Sequence, residues 1–518
     1  MRSLLTSRTA ESMTTRQRWA ALLMLAGSLL VVMMDMTILI MALPALVEDL
    51  GPSSAQQLWI IDIYSLILAG LLIPMSALAD RWGRKKVLLT GFAIFGVVSV
   101  LVLFATSAVH VIVLRALLGA GGAMIMPTTL SMIRTIFTNP KERATALAVW
   151  SVVSGVGAII GPLVGGTLLE FFDWHAAFLI NVPFVAVAIV AGLILLPEAR
   201  DPNPPRWDLP ATVLSIAGMS ALVWSIKQLA KHGWGDIGSW AAIAASLALM
   251  TWFVLRCLRR SDPLLDVRLF KSKPFTAGTL AAMASMFGMA ALILLVAQWL
   301  QAVEGLSPVV AGVALLPMVL GSLVFAPFAP TLAIRIGARN VLAGGLAIAG
   351  LGMLLLFGIG STFTYWQLAP AMALVGAGLG SLAIASAIIM GSTPTEKAGN
   401  AAAIEESMYD LGNVLGIAVL GSIAAAIYRT QLAIGDFADQ GITGTLAHDS
   451  RESIVGALAV AEQTDTPALA TTAIDAFTQS IVQTSLVGGL IMLAAAIVVH
   501  RLVPKSFDIA THETPSVQ

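Results

Sequence analysis

Five carboxylates stand inside runs of sequence that are otherwise apolar: Asp35, Asp62, Glu405, Glu406 and Asp410. Asp35 lies within Val31–Ile40, in a run that starts near Trp19 and ends at Pro44. At 1.5 Å rise per residue it sits ~22 Å along a helix from Ala20, inside a hydrocarbon layer about 30 Å thick. A carboxylate at that depth costs roughly 2.5–3.5 kcal/mol on insertion scales, so it should face protein or a water-filled cavity. Glu406 and Asp410 are spaced i,i+4 and share a helix face, as do Glu405 and Tyr409. Carboxylates clustered out of water can share protons and exchange them for a cationic ligand. A single acid could simply hydrogen-bond between helices; five, with no evident intramembrane lysine partner, favour proton or cation binding. Arg115, about 9 Å from the outer surface on the expected fourth span, is the one basic group at depth. It should either modulate a carboxylate's protonation or serve as a static counter-ion. Met33 and Met36 beside Asp35, with Trp59, Tyr64 and Tyr409 near the other acids, suit a deformable cavity for hydrophobic cations, although packing alone explains many methionines.

The elements that must position these groups are membrane spans. Of 518 residues 58% are hydrophobic and 11% charged, with a mean hydropathy of +0.89; soluble domains run at about 45–50% and about 25%. Continuous apolar runs favour a helical bundle over the alternating pattern of a β-barrel. The reading is an all-α polytopic membrane protein with spans near 19–43, 57–79, 86–106, 109–132, 144–169, 175–197, 208–229, 238–256, 274–300, 308–333, 340–361, 366–391, 399–428 and 479–501. That makes 14 helices. Lysine and arginine crowd the loops on one side, while the short opposite loops carry mainly Glu48, Asp49, Asp173 and Glu304, with Lys227 and Lys231 as exceptions. This asymmetry places both termini in the cytoplasm and requires an even number of spans. Residues 1–18 lack an apolar core and read as a cytoplasmic segment, not a cleaved signal. The lone Cys257 excludes an intramolecular disulfide and reads as an inert buried thiol.

The chain repeats itself. Leu78–Leu88 aligns with Leu332–Leu342 at an offset of 254, and Pro140–Ala144 meets Pro394–Ala398 at the same offset. Gly119-Ala120-Gly121 matches Gly376-Ala377-Gly378 with the offset slipped by three. Two six-helix halves in parallel orientation follow, 19–200 and 262–503, with a linker and inserted helix pair at 201–261 and a cytoplasmic tail at 504–518. An acidic loop at 430–475 should lie outside, as a small hairpin or lid or as a passive segment. Gly157, Gly161, Gly165 and Gly166, with Pro162, would let the fifth helix approach a neighbour closely and bend, as a gating surface or a structural kink. The Asp80-Arg81-Trp82-Gly83-Arg84-Lys85 turn could hold the cytoplasmic side closed or carry topogenic charge alone. No Walker A sequence, zinc-ligand spacing or Gly-x-Ser-x-Gly elbow occurs, and the histidines are scattered. No metal, cofactor, enzymatic reaction or nucleic-acid partner is therefore expected, and ATP does not drive the chain directly.

Together these motifs resemble the major facilitator superfamily, and within it the 14-helix drug:proton antiporters, over nearly the whole chain. Asp80-Arg81-x-Gly83-Arg84-Lys85 looks like the superfamily's loop motif, with Ser76 where the motif usually starts with glycine. Arg115-x-x-x-Gly119 is similar to its fourth-helix motif, Gly157-x-x-x-Gly161-Pro162-x-x-Gly165-Gly166 to the antiporter motif, and Asp35-x-Thr37 with Ala42-Leu43-Pro44 to the first-helix signature. The likeness extends to QacA-type multidrug exporters of quaternary ammonium antiseptics and cationic dyes. It implies a monomeric, proton-gradient-driven antiporter of hydrophobic cations in a bacterial plasma membrane, with the five acids in proton coupling and cation recognition. Where some relatives carry a carboxylate in the tenth span, this chain has Gly321-Ser322-Leu323, which leaves bulky dications open. The other reading keeps the fold but exports an endogenous metabolite, siderophore or lipid-linked compound.

Overall fold

The computed structural model describes residues 13–52, 54–200, 208–232, 235–261, 263–359, 363–432 and 442–505, and structural statements concern these. They fold as helices, with no strand among them. The first group is α1 (Thr15–Leu50), α2 (Ser54–Trp82), α3 (Arg84–Leu101), α4 (Ala108–Ile136), α5 (Pro140–Phe171), α6 (Ala176–Leu179) and α7 (Asn181–Leu195). A pair follows, α8 (Leu209–His232) and α9 (Ile237–Arg259). Then come α10 (Lys273–Ala302), α11 (Pro308–Ala314), α12 (Leu316–Phe325), α13 (Ala329–Ile336), α14 (Ala338–Ile359), α15 (Tyr365–Leu379) and α16 (Leu382–Gly391). The last are α17 (Ala398–Gln431), α18 (Gly444–Glu452), α19 (Ile454–Gln463) and α20 (Pro467–Leu502).

Twelve helical stretches among the described residues are long and apolar enough to cross a membrane, or thirteen if the pair Val309–Phe325 and Ala329–Ile336, bent by 50°, is one crossing. The chain is thus a multi-span membrane protein. The expected fourteen would also include α5, whose 32 residues run beside α1.

Several boundaries differ from the sequence reading for local reasons. Thr14 and Gln17 form a capping box that starts α1 ahead of Trp19. The helix then continues through Pro44 and stops at Gly51, which takes φ +55°. The tenth span is not one rod: Pro317, Pro327 and Pro330 each remove a backbone donor, and the helix breaks into α11, α12 and α13. The twelfth divides after Leu379, where Ser381 Oγ donates to the Gly378 carbonyl at 2.8 Å. The last helix begins at Pro467, well before 479, because Leu469, Ala473, Ala476 and Phe477 bury one face of its polar first turns. The acidic loop shortens accordingly. Its middle folds as α18 and α19, held by Tyr428 Oη donating to the Ser450 carbonyl at 3.0 Å and by burial of Ile454, Ala457 and Val460. Residues 433–441 of that loop lie outside the described residues.

Two large hydrophobic cores, with two small clusters beside them, fill the bundle. One gathers side chains from Met13 to Phe275 with a few from Ala387–Ile404; the other gathers side chains from Ala277 to Val503. The repeat reappears as contacts. A Cβ on Gly119 would lie 3.3 Å from Tyr64 Cα, and one on Gly376 would lie 2.6 Å from the Met318 carbonyl carbon. Likewise Gly121 sits over the Gly91 carbonyl and Gly378 over the Gly345 carbonyl. Tyr64 and Met318, like Gly91 and Gly345, are related by the offset of 254. The pair α8–α9 departs from this symmetry: α8 packs on α2 and on α17, so it touches both halves, and α9 packs on α8. Asp208, at the start of α8, ties the pair together by accepting from Arg256 and Arg260 at 2.9 Å each.

Candidate functional site

Asp35 is wholly buried on α1, and both carboxylate oxygens are occupied. Arg115 Nη1 of α4 donates to Oδ2 at 2.8 Å, and Asn181 Nδ2, the first residue of α7, donates to Oδ1 at 2.8 Å. The Arg115 guanidinium also donates to the Ile60 carbonyl at 3.4 Å and stacks 4.4 Å from the centre of the Tyr64 ring. The pair is therefore desolvated, doubly hydrogen-bonded and covered by an aromatic face, which is what a buried charge pair needs in order to persist. Close packing around it comes from Gly122, where a Cβ would reach 3.0 Å from Tyr64 Oη. The sequence reading offered Arg115 two roles; the structure makes it the direct partner of Asp35. Asn181 went unnoticed, although an amide opening an apolar run was the available signal.

Asp62 lies near the start of α2 and pairs with Lys227 Nζ of α8; Lys227 also donates to Ser65 Oγ at 3.2 Å. This corrects the expectation that the acids lack a lysine partner and that Lys227 is a loop charge. The side chains are 31% (Lys227) and 28% (Asp62) exposed, unlike the sealed Asp35–Arg115 pair. Their helices are locked below this point by Ser220 Oγ donating to the Leu66 carbonyl at 3.0 Å.

On α17 the three acids occupy less than two turns. Glu405 Oε1 accepts from Tyr409 Oη at 2.8 Å and from Ser386 Oγ of α16, which itself lies 3.3 Å from Tyr409 Oη. Glu405 and Glu406 are buried, and Asp410 is half-buried. Glu405 Oε2, Glu406 Oε1 and Asp410 Oδ2 are withdrawn from solvent without a hydrogen-bond partner among the described residues. Lys227 lies within electrostatic range of Asp410, and Asp410 within range of Tyr64. The acids and their partners thus run as one chain of neighbours from α1 through α4, α2 and α8 to α17, which packs against α2, α4 and α8. Met33 and Met36 pack partly buried on the first core, whereas Trp59 is 44% exposed at the start of α2 and lies outside this chain.

The other motif residues lie at the α2–α3 turn and along α5. Arg84 donates to Asp80 Oδ1 at 3.0 and 3.1 Å and to Thr135 Oγ1 at 2.9 Å. Lys85 Nζ caps the end of α7 through the carbonyls of Leu193 and Leu196, at 2.9 and 2.8 Å. Gly83 takes φ +111° with the Glu198 carboxylate against it, and Arg81 remains exposed. The two halves touch here: Ser76 Oγ donates to the Gly399 carbonyl at 2.6 Å, and Arg134 donates to the Thr393 carbonyl. Gly157, Gly161 and Gly165 bring α5 against α1, where added Cβ atoms would lie 2.9 Å from Leu30 O, 2.8 Å from Met34 O and 2.8 Å from Ile38 Cγ1. Gly166 faces Val309 of α11, in the other half. The side chain of Pro162 lies outside the described residues.

The family model described as Major Facilitator Superfamily matches residues 25–295 and 278–447. The chain is similar to the multidrug efflux pump LfrA of Mycolicibacterium smegmatis, 40% identical over 94% of this chain and 96% of that protein. It is similar to the methyl viologen resistance protein SmvA of Salmonella typhimurium, 38% identical over 81% of this chain and 85% of that protein. Among solved structures it shares its fold with the human organic anion transporter MFSD10, at a TM-score of 0.57 and 14% identity, over 92% of this chain and 99% of that one.

Proposed function

The chain belongs to the Major Facilitator Superfamily, and from that premise we propose that it exports hydrophobic cations in exchange for protons. The observation that carries this reading is the charge imbalance on α17. Glu405, Glu406 and Asp410 each leave a buried oxygen without a partner among the described residues, while Arg115 is committed to Asp35. Such a set has two ways to reach neutrality: it takes up protons, or it takes up a cation. Because the same oxygens serve both, the two ligands compete, and competition between states facing opposite sides is what coupling requires. Tyr64 and Tyr409 supply aromatic faces for a hydrophobic cation. The relatives' names, a multidrug efflux pump and a methyl viologen resistance protein, agree with drugs as cargo, and methyl viologen is a cation. In this reading α5 and the bent pair complete fourteen crossings, both termini are cytoplasmic, the protein acts as a monomer in a bacterial plasma membrane, and the proton gradient is the energy source.

The test uses everted vesicles carrying the full chain and ethidium as the probe. One-for-one exchange at a ΔpH of one unit should sustain a roughly tenfold ethidium gradient, since one pH unit is about 1.4 kcal/mol. Glu406→Gln should abolish ΔpH-driven uptake. Uptake by the wild type that is absent or indifferent to ΔpH would end the proposal, and export of an endogenous metabolite would take its place.

A further inference from the structure

Lys227 comes from the helix pair that breaks the repeat, yet its ammonium reaches into the acid chain. It contacts Asp62 and Ser65 of α2 and lies within electrostatic range of Asp410 of α17. We propose that Lys227 is a tethered counter-cation that fills the Asp62 subsite until a cationic substrate displaces it, and that it thereby favours monovalent over divalent cargo. This rests on the cation-export reading and deepens it. Two features separate Lys227 from Arg115. Arg115 is 1% exposed, donates to two helices besides its own and stacks on Tyr64, so its charge is fixed. Lys227 is about one-third exposed (31%) and holds Asp62 through one flexible side chain. Exposed pairs of that kind exchange partners easily, and an ammonium on a four-carbon stem can swing away. While it stays, it repels an entering cation in proportion to that cation's charge.

The proportionality gives a quantitative test. Removing one positive charge should tighten a monocation about threefold and a dication about tenfold, because the repulsion relieved is doubled. Binding of ethidium and of methyl viologen, a dication, would be measured on the purified full chain for wild type, Lys227→Met, Lys227→Arg and Lys227→Met with Asp62→Asn. Lys227→Met should shift preference towards methyl viologen by at least threefold. Lys227→Arg should retain the wild-type preference, and the double variant, which restores charge balance, should return to it. Equal change for both probes, or a double variant that keeps the shift, overturns the proposal. If Lys227→Met does not fold, Lys227→Cys in a Cys257→Ser background allows the comparison within one folded protein. There, aminoethyl thiosulfonate restores the ammonium and methyl thiosulfonate does not. Failure of both variants to fold would also overturn the proposal, since a side chain the fold depends on is not one a ligand displaces. A wild type that binds neither probe would instead refute the cation-export reading.

Discussion

Asp35 and Asp62 bear the same group on neighbouring helices, yet the fold gives them counter-ions of different kinds. The Asp35–Arg115 pair is 0–1% exposed with both carboxylate oxygens bonded. Breaking such a pair from one side leaves a desolvated charge and costs about 3–5 kcal/mol, whereas removing both partners can be nearly neutral. Asp35→Asn should therefore lower thermal stability strongly, and Asp35→Leu with Arg115→Leu should recover most of the loss while remaining inactive in transport. An Asp35→Asn protein melting with the wild type would show that the pair is dispensable. At this scale the charges were legible, because an acid or arginine in an apolar run is conspicuous. Asn181 and Ser386 were not, since amides and hydroxyls occur in spans for many reasons. Lys227 was misplaced because a lysine near a span end ordinarily extends to the interface. Trp59 was assigned to the cavity on type alone, and the fold leaves it 44% exposed near the start of α2.

Helix ends were legible unevenly: α17 was readable to within a few residues, whereas α1 starts ahead of Trp19 and runs past Pro44 to Leu50. α17 runs from Ala398 to Gln431 as its apolar pattern suggests, but the first turns of α20 are helical only because α19 covers their apolar face. The prolines of α11–α13 were visible, though whether they would bend or break the span was not. The inserted pair offers a test of what holds an element in place. Burial alone would raise the Asp208 carboxyl, but hydrogen bonds from Arg256, the Ala211 amide and Arg260 outweigh it and hold it below the usual carboxylate range. A folded value below the unfolded one, about 3.9, means that this contribution is complete above that pH and is lost as pH falls through the folded value. Asp208→Asn keeps a capping side chain and removes the charge. It should melt below the wild type at pH 7, and the gap should narrow as pH falls below about 4, where the unfolded carboxyl takes up its proton first. A gap that stays constant in melting curves across that range would locate the effect elsewhere.

Across the whole molecule, Leu78–Leu88 and Leu332–Leu342 align at the offset of 254, and two pairs of glycine contacts recur at matched positions. Violations of the repeat fall at the buried charged groups. Met289 stands at the offset from Asp35, Met372 stands opposite Arg115 when the offset slips by three, as it does for Gly119 and Gly376, and α8 has no counterpart. How the halves meet was less legible, because a contact such as Ser76 with Gly399 joins residues 323 positions apart through a backbone carbonyl that any residue type would provide. Gly399 is nonetheless specific: a Cβ there would lie 2.6 Å from Asp80 Cγ, against a carboxylate already fixed by Arg84. Gly399→Ala should push the halves apart at this face, since overpacking of a closed contact costs about 1–3 kcal/mol. A latch weakened by that much changes the balance between states about 5–150-fold. Transport should fall, and hydrogen exchange should quicken in 76–84 and 393–400 together, because the two segments lose the same contact. Gly344→Ala is the control, as nothing lies within 4 Å of its added Cβ, and both measurements should stay at wild-type values. Unchanged exchange in Gly399→Ala with intact transport would mean that this contact does not hold the halves together. Faster exchange with intact transport would mean that closure here does not limit the cycle.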